Sequence, residues 1–320
     1  MVGILPEALR GREGVSFDDV VPSIRHEAGS ELAFRSCSWF STYRIHHRRA
    51  VRFRDRRAFL LGDAAHVHSP VGAQGMNTGL QDAYNLGWKL ALVIGGKADP
   101  RILDSYGAER VPVAERLLRT TDRGFRLVVT DNWLAGLFRT EVLARIGAFA
   151  MGTRRIQSLA FRTISQIDIR YRGSALSVAA GAMPEHAPRP GDRFPWMHLK
   201  FAADSAVLDS FAQLDDAHFH LLAFGQPAPP APHAFGDLVR VHAIPPDAAN
   251  DAELERVRIP RPSVYLIRPD GYVGFCGDRV DADALSRYAT ETLGLVEASA
   301  CCRRWTSSSR CRCWAFSRSR

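Results

Sequence analysis

The spacing of apolar residues changes character along the chain, and that change organises everything else. From Met76 to Ile94, Leu80, Ala83, Leu86, Leu90 and Val93 fall on one helical face, with Gly95-Gly96 as a stop. Pro100 to Tyr106 continues as helix, and Pro112 suits the first turn of a longer one reaching about Thr130. Residues 131–170 keep helical spacing until Tyr171-Arg172-Gly173-Ser174 breaks it. Two earlier stretches read as strands: Ser38 to Ile45, aromatic and β-branched, and Ala58 to Leu61, a short apolar run ending in Gly62-Asp63.

Between Pro184 and Pro195 the composition shifts to Pro, Gly and charge, which marks a boundary. Beyond it the pattern is strand-like at Phe219 to Phe224 and Leu238 to Ile244. A hairpin follows: Ser263 to Ile267, the turn Arg268-Pro269-Asp270-Gly271, then Tyr272 to Phe275. Asp281 to Leu295 closes as a helix, so this part predicts a small α/β domain.

Charge alters the picture only at the end. The 320 residues carry a formal +8, but residues 299–320 hold six arginines and no acid, and removing those six leaves +2. A basic nucleic-acid face is therefore not expected. That same segment holds Cys301, Cys302, Cys311 and Cys313, leaving Cys37 and Cys276 in the body, which argues against a disulfide framework. Its Ser, Arg and Cys can bury no core; the reading is a disordered, frameshifted tail over 298–320. No apolar run reaches the ~18 residues of a membrane span, and a cytoplasmic protein is expected.

The chemistry concentrates after Ala58-Phe59-Leu60-Leu61. A strand ending in Gly62-Asp63 delivers a carboxylate to the edge where open α/β folds bind ligands. Pro70 fixes the following loop, while Gly72 and Gly75 let backbone N–H groups approach a flat ligand. The helix beginning near Met76-Asn77 then points a partial positive charge at that loop. Two His-x-His pairs, His66/His68 and His218/His220, lack the three or four converging ligands of a zinc site, so no metal is expected.

The run Leu61-Gly62-Asp63-Ala64-Ala65-His66, Pro70, Gln74-Gly75-Met76-Asn77-Thr78-Gly79, Gln81-Asp82-Ala83, Asn85-Leu86 and Trp88-Lys89-Leu90 resembles the FAD-dependent aromatic-ring hydroxylases. The likeness continues through Leu103-Asp104-Ser105-Tyr106, Glu109-Arg110 and Pro112-Val113-Ala114. It implies that Asp63 contacts the ribityl or pyrophosphate region of FAD and that Pro70 lies beside the isoalloxazine. It also implies that Gly62, Gly72 and the backbone of Gly75, Met76 and Asn77 belong to the cofactor site. Ala73 stands where the family often has a second glycine. Tyr171-Arg172-Gly173-Ser174, Pro190-Gly191-Asp192-Arg193 and the Arg268-Pro269-Asp270-Gly271 turn resemble the thioredoxin-like C-terminal domain of the phenol-hydroxylase branch and its lead-in. Gln226-Pro227-Ala228-Pro229 stands where a redox Cys-x-x-Cys would be, so a structural or dimer-forming role is expected of that domain.

No two glycines are spaced Gly-x-Gly, and the only Asp-Gly is Asp270-Gly271. The family's N-terminal pyrophosphate motif and middle Asp-Gly motif are thus missing. The expected fold class is α/β: the C-terminal portion of a Rossmann-like FAD-binding domain over 1–185, then a thioredoxin-like domain over 186–297. For the lineage, the resemblance implies a monooxygenase using FAD and NADH or NADPH to hydroxylate an aromatic or polyketide-like substrate, with no catalytic side chain assigned. For this polypeptide, a non-catalytic remnant that binds no flavin and forms at most a homodimer through its last domain is the favoured alternative.

Overall fold

Backbone N–H and C=O groups need partners, and partner supply decides which of the expected strands form. The computed structural model describes residues 3, 5–29, 32–43, 46–68, 74–129, 152–227 and 229–296, with backbone alone at 121–129, 155 and 160. The chain separates into two units, Met1–His46 and His47–Arg320.

In the first unit, helix α1 spans Phe17–Ala28. Ser16 caps it in a reciprocal box with Asp19, and Gly29 ends it in the left-handed conformation. Phe17 packs edge-on against Phe34 and Phe40. The strand expected over Ser38–Ile45 does not form at residues 38–43, where Trp39 is 80% exposed. Alternating aromatics suit a strand, but no described segment pairs with them.

The second unit opens on short pairings. Ala58–Phe59 pairs antiparallel with Arg54–Asp55, so the expected buried strand is a small hairpin, and Leu60 and Leu61 remain partly exposed. Helix α2 spans Gly75–Ile94, as its periodicity predicts. Its buried face is not the expected apolar one, however: Thr78, Asp82, Asn85, Leu86, Trp88, Lys89 and Leu92 point inward, while Leu80 and Ala83 are exposed. Helix α3 spans Asp104–Val129 and continues through Pro112, whereas the sequence predicts Pro112 in a first turn. Tyr106, Arg110, Ala114 and Leu117 are buried on either side of it, and this packing outweighs the lost backbone bond. Within 131–170, residues 131–151 lie outside the described ones, and helix α4 occupies Arg154–Ile164.

A five-stranded sheet follows. Its strands are β1 (Val178–Ala180), β2 (Phe219–Phe224), β3 (Val239–Ile244), β4 (Ser263–Ile267) and β5 (Val273–Gly277). The spatial order is β1-β5-β4-β2-β3, with β1–β5 and β2–β3 parallel and the other two neighbours antiparallel. Helices α5 (Ala248–Val257) and α6 (Ala282–Arg287) connect and close it. Side chains alternate between two cores. Phe219, Leu221, Val264 and Leu266 join Leu86, Trp88, Leu92 and Tyr106 of the helices, while Leu222, Phe224, Tyr265 and Ile267 pack with Leu254 and Met197. The first core therefore runs unbroken from α2 and α3 into the sheet. Among the described residues no helix is long and apolar enough to cross a membrane.

Candidate functional site

Glycine sets the geometry at the Gly62-Asp63 turn. Gly62–Ala64 is a 3-10 turn whose first residue has φ +55°, a conformation that excludes most side chains. A Cβ added to Gly79 would meet the Gly62 Cα at 3.2 Å, so the turn lies directly on the second turn of α2. Asp82, one helical turn below Thr78, takes the Gly62 N–H at 3.0 Å and His66 Nε2 at 2.7 Å on one carboxylate oxygen. Tyr106 donates its hydroxyl to the Leu60 carbonyl at 2.7 Å and pins the approach to the turn from α3.

Asp63 itself is exposed, and its carboxylate enters no hydrogen bond among the described residues. Gly75 opens α2, where a Cβ would come within 3.2 Å of His68 Nε2. Met76 is 76% exposed and Asn77 partly buried. Pro70 and Gly72 lie outside the described residues. Among the described residues no side chain caps α2, and its first turn holds no acid. A helix start of that kind favours negative charge. Together the turn and helix end offer an acceptor for hydroxyls and a donor-rich, positive edge for an anionic ring. Those are the demands of a flavin's ribityl chain and pyrimidine edge, so the residues present fit the cofactor that the motif implies.

The sequence reading missed what holds this arrangement. Arg110 donates Nε to Asp82 at 2.6 Å, one terminal nitrogen to the Tyr171 hydroxyl at 2.8 Å, and the other to the Thr78 carbonyl at 3.1 Å. Its neighbour Glu109 takes Lys89 at 2.8 Å, Asn85 at 2.6 Å, Ser174 at 2.6 Å and both arms of Arg268 at 2.7 and 3.0 Å. Arg268 also grips Asp270, which accepts the Trp88 indole N–H at 3.1 Å. The cations Lys89, Arg110 and Arg268 are thereby matched by the carboxylates Asp82, Glu109 and Asp270, nearly all of them sealed from water. Burial alone would raise the Asp82 and Glu109 acids, but the surrounding cations and hydrogen bonds outweigh it and hold both below the ordinary range. Burial brings Lys89 down to about 8 against the pull of Glu109, so it stays charged at neutral pH. The signal was present in the motif runs themselves: Asp82, Asn85 and Lys89 recur on one helical face, a polar stripe that a search for apolar periodicity passes over.

A cleft of about 710 Å³ lies between α2 and the β4–β5 hairpin. Asn77 lines it; Asp63 does not. The structure therefore brings Gly62, Gly75 and Asn77 around one end of α2 and leaves Asp63 on the open side of the turn.

Comparison with known proteins gives concordant findings. A family model described as an FAD binding domain matches residues 2–121, and one described as the C-terminal part of aromatic-ring hydroxylases matches residues 187–295. The first match begins ahead of the quoted motifs, so the likeness reaches the N-terminal segment and is not confined to a C-terminal portion. The chain is 32% identical over 297 residues to 6-methylpretetramide 4-monooxygenase of Streptomyces rimosus, covering 89% of this chain and 52% of that protein. Among solved structures it resembles the OxyS anhydrotetracycline hydroxylase from Streptomyces rimosus (TM-score 0.68, 31% identity, 88% of this chain and 53% of that one). It also resembles the rebeccamycin biosynthetic enzyme RebC with reduced flavin (TM-score 0.56, 30% identity, 78% and 47%). The chain spans about half the length of the curated relatives it matches.

Proposed function

Because the chain belongs to the FAD-dependent aromatic-ring hydroxylase family, we propose that it holds the isoalloxazine end of FAD and serves hydroxylation of an aromatic or polyketide-like ring. The observation that carries this reading is the glycine-seated turn at 62–64 against the uncapped start of α2. In it, Asp63 accepts from the ribityl hydroxyls, and Gly75, Met76 and Asn77 present backbone to the ring. Bound FAD, reduced by NADH or NADPH, supplies the oxygen-activating chemistry. The chain's own part is to position the ring system and to stabilise negative charge at its edge, worth roughly 0.3–1 kcal/mol for a helix end and up to ~2 when partly buried. The strand order β3-β2-β4-β5, with its parallel first pair and antiparallel hairpin, supports a thioredoxin-like reading of the C-terminal part without redox cysteines.

A second reading, a non-catalytic module that binds no flavin, is favoured by the exposure of Asp63 and by its absence from the cleft. Visible absorption of the protein after incubation with FAD and desalting separates the two. A flavin spectrum that stays with the protein supports the first reading; colourless protein overturns it in favour of the second.

A further inference from the structure

The cleft beside α2 holds one cation that the fold leaves unanswered. Arg193 lines it, half-buried, and among the described residues no carboxylate, carbonyl or ring engages its guanidinium. The arginines around it are matched: Arg172 holds both oxygens of Asp192 at 2.7 Å, and Arg268 binds Glu109 and Asp270. The backbone at Arg193 is also fixed. It bridges Tyr272, with the Val273 N–H on the Asp192 carbonyl and the Phe194 N–H on the Gly271 carbonyl, both at 2.9 Å. The unpaired side chain therefore leaves a rigid seat on the β4–β5 hairpin.

The other charges on the cleft wall decide what Arg193 can take. Asp215 accepts His218 Nδ1 at 2.7 Å and the Ala217 N–H at 2.9 Å, and Asp216 accepts the Tyr84 hydroxyl at 3.4 Å. Both acids are exposed, so solvent screens them, whereas the half-buried guanidinium has given up part of its hydration. A guanidinium matches a carboxylate through two parallel N–H···O bonds. With two acids on the same wall, one cation suits a single negative charge and disfavours a phosphate dianion. Leu80, Tyr84, Ile167 and Phe211 also line the cleft, exposed to 56%, 58%, 38% and 45%, so an entering molecule meets apolar walls it can reach. The volume of about 710 Å³ is that of a small-molecule site.

We propose that this cleft is a binding site for a singly charged, amphipathic carboxylate. The carboxylate sits on the Arg193 guanidinium, and a hydrocarbon body lies against Leu80, Tyr84, Ile167 and Phe211. The site uses no residue of the turn at 62–64, so it stands or fails independently of the flavin reading.

The test is calorimetry on the whole chain without FAD, with octanoate as probe and octanamide as its neutral counterpart of equal length. Saturable binding of octanoate is expected, at least about tenfold tighter than that of octanamide. Arg193→Gln should weaken octanoate about tenfold and leave octanamide unchanged, while Leu80→Gln weakens both. Arg193→Gln should also melt with the wild type, because the side chain it replaces has no partner in the fold. The comparison of the two probes on the wild type needs no variant, so it decides even if a variant folds poorly. Absence of octanoate binding, equal affinity for the two probes, or octanoate binding that Arg193→Gln leaves unchanged overturns the proposal and assigns Arg193 to solvent.

Discussion

Replacing Asp82 with Asn removes one charge and alters almost no volume, yet it strikes the centre of the network. The Asp82 carboxylate is 0% exposed and accepts from Gly62, His66 and Arg110 at 3.0, 2.7 and 2.6 Å. Arg110 is equally buried and would keep its full charge with only neutral partners. Breaking a buried ion pair from one side costs about 3–5 kcal/mol. The amide retains one acceptor oxygen, which places the expected loss near the lower bound, about 3 kcal/mol. Against a typical total of about 5–15 kcal/mol that is a large fraction. Urea unfolding followed by tryptophan emission measures it, since Trp88 is buried beside the network. The exposed Lys97–Asp237 pair provides the scale: Asp237→Asn should cost within about 1 kcal/mol. The sign with pH is fixed as well. Asp82 titrates below its ordinary value in the fold, so its contribution is complete above the unfolded pKa of about 4 and is lost as pH falls through the lowered folded value. The gap between wild type and Asp82→Asn must therefore narrow in acid. A loss no larger than that of Asp237→Asn, or a gap that stays constant on acidification, refutes the reasoning.

Other consequences follow from single contacts. Gly79→Ala gains up to about 1 kcal/mol of helix propensity, but its methyl meets the Gly62 Cα at 3.2 Å. A lower melting temperature and weaker FAD binding are expected, and a rise in both would show that the turn does not rest on α2. Arg268→Met leaves Glu109 with Lys89 as its remaining cation and should destabilise by about 3–5 kcal/mol, read from denaturant midpoints. His242 lies against His220, with Nε2 3.0 Å from His220 Nδ1, near Asp215 and the Phe201 ring. Burial and the neighbouring imidazole lower it to about 4. The unfolded chain, at about 6.5, takes the proton first, so stability falls as pH drops from about 6.5 to about 4. His242→Gln should flatten that part of the profile, and an imidazole resonance of His242 titrating near 6.5 by NMR would contradict it.

Local patterns read well where the chain answers its own demands. The β4–β5 hairpin was legible from Pro269-Asp270-Gly271, and α2 from its spacing and the glycines behind it. The strand at Ser38–Ile45 was not, because alternation shows a preference while pairing needs a partner, and none of the described segments supplies one. The direction of α2 misled for a different reason. Its apolar face suggested burial of Leu80, yet matched charges allow Asp82, Asn85 and Lys89 to be the buried stripe, and that match involves Glu109, Arg110 and Arg268, residues far apart in sequence. The motif runs that resembled the hydroxylases thus divide by role. Gly62, Gly75 and Asn77 lie at the start of α2, the end proposed to face the flavin, while Asp82, Lys89, Glu109, Arg110, Tyr171 and Arg268 brace it from within.

Flavin fluorescence during titration of FAD into the wild type and into Asp63→Ala addresses the cofactor site most directly. Asp63 is exposed and bonded to nothing described, so the substitution should shift stability within about 0.5 kcal/mol. The account predicts saturable quenching by the wild type and at least about tenfold weaker binding by Asp63→Ala, the loss of a charge-assisted hydrogen bond. Equal affinity in the two proteins, or no quenching in either, would contradict it.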